Sequence, residues 1–320
     1  MSKTILDVVK GCDNFVSNDE SASQSENLGQ CYTFRVNGCC AILGYILPEV
    51  VEKVQWSDWW SIDHHRCIVT LATPATATTD MRSHIVEETL KNTRKLAVIS
   101  MLESWRDETF PIYGPGGETL LEIERCASAL FGIVTYGVQL VCYVRDEQGL
   151  RLWIGKRSER KQTYPGMLDT TAAGGLVAGK LPIEALICEA QEEASLSEVM
   201  VRKKVIPMSN LTYFHIRGNK AGGEIGLFQP EVEYTYELEL DPGMAPEPRD
   251  SEVESFSLYT IEGVLCALKE GLFKPNSAIV IVEFLISHGI LRADNEPGYA
   301  EILSHLHREL ELPLLILPSQ

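Results

Sequence analysis

Apolar and polar positions follow two different periods along this chain, and the segments they mark fall into two groups. From Val134 onward, VTYGVQLVCYVRDE alternates with the two-residue period of a strand, breaks at Gln148-Gly149 and resumes in LRLWIGKR. EIGLFQPEVEYTYELEL, LTYFHIR and VESFSLYT have the same strand-like character. A period of three to four takes over from about Pro182 to Ala194, in IEGVLCALKEG, in NSAIVIVEFLISHG and in EPGYAEILSHLHREL, which predicts helices. Pro182 suits the first helical position, where its missing N–H has no partner to lose. Ahead of these, CYTFRVNGCCAILGYILPEVVEKVQ predicts strand, turn at Asn37-Gly38, strand and a short helix beginning near Pro48. Residues 67–73 predict another strand. Met81 to Ser104, free of Gly and Pro, predicts a long helix; 111–119 is a turn cluster, and 120–131 predicts a helix ended by Gly132. The polar stretch 17–30 reads as a loop.

The change of character near 132 divides the chain into an N-terminal α+β domain (1–132) and an α/β domain with C-terminal helices (133–320). Two domains suit a length of 320 residues. Charge narrows the partners: 28 Lys+Arg against 45 Asp+Glu give a net −17, a surface that repels a phosphate backbone, so no nucleic-acid partner is expected. No run approaches eighteen uncharged apolar residues and the N-terminus has no signal-peptide core, so no membrane association and a cytoplasmic location are expected. The nine cysteines are odd in number and scattered, without zinc spacing, and read as reduced thiols.

Chemistry concentrates on the helix starting at Pro182. Glu189, Glu192 and Glu193 stand at i, i+3 and i+4, three carboxylates on one face, and no basic residue occupies positions 185, 188, 196 or 197 to offset them. A hard divalent cation, Mg²⁺ or Mn²⁺, would remove the repulsion and take further ligands from a substrate phosphate. The competing reading is a solvated acidic face. Just upstream, Gly174, Gly175 and Gly179 let the backbone approach a ligand and turn into the helix N-terminus. Lys156, Arg157, Arg160 and Lys161 reverse the local charge; Arg157 and Lys161 are candidate phosphate or substrate contacts, against a purely solubilising role.

Read together, GGLVAGKLPIEALICEAQEEASL (174–196) resembles the Nudix box, the loop-helix-loop signature of Nudix hydrolases, with Gly174 first and Glu192-Glu193 as its paired glutamates. Glu189 matches the glutamate of the Arg-Glu pair, and Leu196 the closing aliphatic. The box departs at Lys180 for Glu, Cys188 for Arg, and Ser195 for Gly. WIGKRSERKQTYPGMLDTTAAGGL, PEVEYTYELEL, DSEVESF and GLFKPNSA resemble one branch of these proteins, which includes the Nudix part of fungal thiamine pyrophosphokinase fusions.

The resemblance implies a Nudix α/β/α sandwich with a mixed sheet, preceded by the α+β domain, which would help select the substrate. It implies metal ligation by Glu189, Glu192 and Glu193, with Mg²⁺ or Mn²⁺, and a catalytic base among Glu192, Glu193 and Glu252. Arg157, Lys161, Gly174, Gly175 and Lys180 become the expected substrate contacts. The implied reaction is hydrolysis of thiamine diphosphate-like small molecules, above all the damaged oxothiamine and oxythiamine diphosphates, to monophosphate and phosphate. The alternatives are a pyrophosphatase for another nucleoside or isoprenoid diphosphate and a catalytically weak binding protein. Asp169 is expected to orient its loop. Trp56, Trp59 and Trp60 are expected as core anchors before ring-stacking residues. His64, His65 and His215 are expected as structural histidines, and Cys188 as a packing residue.

Overall fold

Helix α1 (Ile5–Cys12) begins at Thr4, whose hydroxyl accepts from the Asp7 amide at 3.1 Å and whose own amide is met by the Asp7 carboxylate, a reciprocal cap. A computed structural model describes residues 2–15 and 31–316, so the stretch 17–30 lies outside the described residues. Next come β1 (Tyr32–Val36), β2 (Gly44–Ile46), α2 (Pro48–Lys53), β3 (Trp60–Asp63), β4 (Ile68–Leu71) and α3 (Thr79–Arg94). The four strands form a sheet in the order β2-β1-β4-β3, with β1 and β4 parallel. A hairpin of β5 (Thr109–Tyr113) and β6 (Thr119–Glu124) packs on α3. Phe34, Leu71, Leu90, Leu121 and Phe131, all fully buried, belong to the core these elements share.

Two expectations fail in this region. The long helix stops at Arg94, not Ser104: Ala97 takes a left-handed φ of 51°, and the Glu224 carboxylate captures the amides of Ser100 (2.6 Å) and Met101 (3.1 Å), so a 3₁₀ turn forms there instead. Residues 120–131 are not one helix. LLEIE continues β6, with Leu121 opposite Ile112 and Ile123 opposite Phe110, and only Arg125–Leu130 turns, as a 3₁₀ segment. Short apolar runs fit either period, and pairing with β5 decides between them.

The second sheet is built from β7 (Thr135–Asp146), β8 (Gly149–Arg157), β9 (Leu168–Asp169) and β10 (Ala172–Gly175). After α4 (Pro182–Ala194) and α5 (Glu198–Lys204) it gains β11 (Ile206–Pro207), β12 (Leu211–Ile216), β13 (Phe228–Glu239) and β14 (Val253–Thr260). Helices α6 (Ile261–Glu270), α7 (Pro275–Ser287) and α8 (Tyr299–Leu306) follow. The main path runs β11-β13-β7-β8-β14, with β12 also on β13, β10 on β7 and β9 on β8. Because β7 and β13 are parallel and the other pairs antiparallel, the sheet is mixed.

Val138, Leu140 and Cys142 of β7 pack with α4, whereas Val141 and Tyr143 pack with α1, α6 and α7, giving an α/β/α sandwich. Burial on both faces explains the nearly continuous apolar run of β7. α1 joins this second core through Ile5, Val9 and Cys12, although it precedes the boundary expected near 132. Asp13, just beyond it, is held by His305 (2.6 Å), Arg308 (2.5 Å) and the Phe214 amide (2.9 Å). Among the described residues no helix is long and apolar enough to cross a membrane.

Candidate functional site

A cavity of about 830 Å³ opens beside the first residues of β7, where the sheet is bare of side chains. Gly137 of β7 stands opposite Gly175 of β10. A β-carbon at Gly137 would lie 2.3 Å from Glu233 Oε2, and one at Gly175 2.8 Å from the Phe110 ring, so both glycines are required by close approach. Phe110 arrives from β5, and the Ala178 amide of the box loop donates to Thr109 O at 3.1 Å; the N-terminal hairpin thus forms part of the cavity wall.

The three helix glutamates meet different fates. Glu193 is buried and accepts from the Ala173 amide at 2.8 Å. Glu189 lies over Gly174 so closely that a β-carbon there would be 1.9 Å from its Oε1, and Glu192 is exposed at the rim. At the end of α4, Ser195 takes the left-handed conformation (φ 56°) where the box has glycine. Its hydroxyl donates to Glu247 O at 2.9 Å while the Glu247 amide donates to Ala194 O at 3.1 Å. These bonds tie the loop before β14 to the helix, and carboxylate oxygens of Glu193, Asp250 and Glu252 come within 4.8 Å of one another.

Among the described residues this cluster and the expected trio share one member. Of Glu189, Glu192 and Glu193, only Glu193 belongs to it, because the loop, rather than the helix face, supplies the other two carboxylates. Asp250 escaped the sequence reading, although it opens the DSEVESF stretch in which Glu252 was singled out.

Burial pushes Glu189 up to about 7, with Glu192 and Glu252 adding to the rise and Arg125 and Lys161 opposing it. Burial likewise pushes Glu193 up to about 8, reinforced by the charge of Asp169. On Glu252 burial acts in the same direction, but the hydrogen bond and charge of Lys161 outweigh it and hold the carboxyl below its ordinary range. Three converging carboxylates, of which Glu193 is buried and has its ionisation opposed by desolvation, fit a hard divalent cation.

A pH dependence follows. Glu189 and Glu193 bind their protons more tightly folded than unfolded, so their contribution to stability is present below the unfolded value of about 4.5 and is lost as pH rises through about 7 to 8. Glu233, also pushed up to about 8 by burial, acts in the same sense. His215, lowered by burial from 6.5, opposes them, but only below that value. With a chelator present, Tm is expected to fall by roughly a few degrees from about pH 6.5 to 8.5, and Glu193→Gln to flatten the fall. A melting temperature that rises over this range would contradict the assignment.

Arg106, Arg125, Arg160 and Lys161 line the cavity near the carboxylates. Lys161 pairs with Glu252, and Arg125 pairs with Glu108 at 2.7 Å beside the Phe110 ring. Arg157 also lines the cavity but is only 7 % exposed. It donates to Asp169 (2.7 Å), Tyr164 O (3.1 Å) and Thr163 O (2.8 Å), bonds that hold the loop and leave it built into the wall instead of free for substrate. Asp169, further bound by Ser277, orients the loop as expected. Lys180 is exposed, 3.8 Å from Cys188 Sγ, and is not among the lining residues. Of the expected substrate contacts, then, the cavity gathers Lys161, Gly174 and Gly175, keeps Arg157 as wall, and leaves Lys180 outside.

Arg106, Glu108, Phe110 and Arg125 had no motif to announce them. Their hairpin was hidden by the helical reading of 120–131. Trp60 is buried, its indole N–H donating to Thr89 at 2.9 Å, and Trp56 donates to Val51 O at 2.8 Å; neither lines the cavity, whereas Trp59 is exposed. His64 meets the Tyr32 hydroxyl at 2.8 Å and His215 the carbonyl of Cys12 at 2.9 Å, both structural partners.

A family model described as a domain of unknown function, DUF4743, matches residues 5–135. The uncharacterized protein YJR142W of Saccharomyces cerevisiae is 33% identical over 242 residues, covering 74% of this chain and 70% of that protein. Two Arabidopsis thaliana proteins are also similar: Nudix hydrolase 20, chloroplastic (37% over 204 residues, 63% of this chain and 52% of the relative) and Nudix hydrolase 24, chloroplastic (34% over 203 residues, 63% and 53%). The chain spans about half the length of these two. Among solved structures, DR0079 of Deinococcus radiodurans overlaps 63% of this chain and 100% of its own at 19% identity and a TM-score of 0.40, too slight a likeness to add to the fold traced above. The chain thus shares more than a third of its aligned residues with two proteins named Nudix hydrolases and carries the box on a helix of the expected sandwich, which together support a place in the Nudix superfamily.

Proposed function

We propose that this protein hydrolyses the diphosphate linkage of thiamine diphosphate-like compounds with the help of Mg²⁺ or Mn²⁺, preferring the damaged oxothiamine and oxythiamine diphosphates and releasing monophosphate and phosphate. The observation that carries the reading is the meeting of Glu189, Asp250 and Glu252 with Arg106, Arg125 and Lys161 in the lining of a single cavity, with Glu193 against Asp250 and Glu252. Glu193, Asp250 and Glu252 would hold the cation, with Glu189 and Glu192 beside them. When bound, such a cation offsets charge on the diphosphate oxygens and favours ionisation of water.

The chain's own groups do the rest. Lys161, Arg106 and Arg125 orient the phosphates, supplying point charges and guanidinium forks. Glu189, raised to about 7, can exchange a proton near neutral pH, which suits a general base for the attacking water. Glu252, held low by Lys161, is a weaker base and a better ligand. The N-terminal domain, residues 1–132 in this reading, takes part in substrate selection, supported by Phe110, Arg106 and Arg125 in the wall. The odd number and scattered placement of the nine cysteines, without zinc spacing, support a reducing compartment, here the cytoplasm.

The test is phosphate release with Mg²⁺ or Mn²⁺ from oxythiamine, oxothiamine and thiamine diphosphates, a nucleoside diphosphate and an isoprenyl diphosphate. The damaged forms are expected to lead in kcat/KM by about tenfold or more, the size that polar recognition of a ring substituent allows. Equal rates on all five, or release that survives a chelator, would overturn the proposal.

A further inference from the structure

A second pair of carboxylates lines the cavity, from β13 and not from α4 or the loop before β14. Glu231 and Glu233 stand on one face of β13, two residues apart. Glu233 is 2 % exposed, and its Oε1 already accepts from Asn276 (2.8 Å), Gln139 (3.0 Å) and the Tyr213 hydroxyl (3.3 Å). Its Oε2 lies over Gly137, against the cavity, and has no donor among the described residues. An acceptor buried without a partner costs about 1–3 kcal/mol, a penalty that a ligand donor would remove. Lys274 also lines the cavity and its charge favours ionisation of Glu233, yet it makes no hydrogen bond to that oxygen.

We propose that this recess, formed by Glu231 and Glu233 with Gln139, Asn276 and Tyr213, binds the end of the substrate remote from the phosphates, and that it selects a nitrogen-bearing head group presenting N–H donors to Glu233 Oε2. The inference rests on the diphosphate reading for the orientation of the ligand: its anionic tail meets Lys161, Arg106 and Arg125, and its donor-bearing head meets Glu233. A hydrocarbon head would leave the buried acceptor unpaired, so the site discriminates by the loss incurred with the wrong ligand. Burial opposes ionisation of Glu233, and a donor of positive charge at Oε2 would favour the carboxylate form that accepts it.

Two variants test the recess, Glu233→Gln and Glu231→Gln, both near in shape to the original side chains. Each is first checked for a cooperative melting transition, which shows that the variant is folded. Thiamine, which has no phosphate, is titrated by calorimetry without metal. Its Kd is expected to weaken about tenfold or more in Glu233→Gln, whose amide turns an N–H toward the donor, and less in Glu231→Gln. In parallel, the ratio of kcat/KM for thiamine diphosphate over dimethylallyl diphosphate is expected to fall about tenfold. No thiamine binding by wild type at millimolar concentration, or a Kd unchanged in both variants, overturns the recess. Absence of metal-dependent phosphate release from every diphosphate overturns the reaction instead, and the thiamine titration still decides the recess.

Discussion

Gly174→Ala is expected to slow metal-dependent phosphate release by about 10²- to 10⁴-fold, as far as Glu189→Gln does, because the two changes strike the same carboxylate. The three atoms nearest to the β-carbon would all belong to Glu189, at 1.9 Å from Oε1, 2.1 Å from Cδ and 2.5 Å from Cγ. These nearest atoms are all side chain, and Gly174 is not among the residues of positive φ, so alanine can adopt the strand conformation. The side chain of Glu189 must swing aside, at little cost to the fold and at full cost to its position over β10. Three readouts check this. Chemical unfolding of Gly174→Ala should stay near wild type; single-turnover phosphate release should fall; and the double variant Gly174→Ala/Glu189→Gln should lose no more than either alone, the signature of one shared contact. If Gly174→Ala turns over normally, Glu189 is not the group that accepts the proton.

Much of this arrangement is legible in the sequence because local and tertiary signals agree there. The helix predicted from Pro182 to Ala194 is α4 with the same bounds, since proline at its start and an apolar stripe point one way. VESFSLYT is β14 as read, and the C-terminal helices fall where their period puts them. Residues 120–131 went wrong where the signals disagree: an apolar spacing that suits a helix gives way to pairing with a strand across a turn. That misreading concealed the docking of Phe110 on Gly175, and with it the contribution of the first half to the cavity. Asp250 was missed for another reason. Its proximity to Glu193 is created by the Ser195–Glu247 bonds, a meeting of segments more than fifty residues apart that no local pattern encodes. Arg157, expected as a ligand contact from its charge beside a glycine-rich loop, lines the cavity while bound to Asp169, Thr163 and Tyr164, partners that no local pattern encodes.

Arg157→Met is accordingly expected to lower the free energy of unfolding by about 3–5 kcal/mol, the scale for breaking one side of a buried ion pair, and to leave KM almost unmoved in the fraction that folds. Asp169 would remain, buried to 8 % exposure, with Ser277 and the Thr170 amide (2.9 Å) but without its guanidinium. Burial alone would raise the Asp169 carboxyl; Lys274 and Arg157 reverse this and hold it below its usual value of 3.8. A lowered folded pKa contributes stability above the unfolded value and loses it as pH falls through the folded one. Removing Arg157 should therefore shrink the advantage of neutral over acidic pH, visible as urea midpoints that differ less between about pH 7 and pH 3 than in wild type. The double variant Arg157→Met/Asp169→Asn should recover part of the loss, because no unpaired charge is left behind. The backbone carbonyls of Thr163 and Tyr164 would still lack their donor, and Tyr164 sits at a left-handed φ of 50°, so recovery should stop short of wild type. Should Arg157→Met instead fold with an unchanged urea midpoint and show a KM raised about tenfold, the guanidinium contacts the substrate after all, and the wall of the cavity must be held by something else.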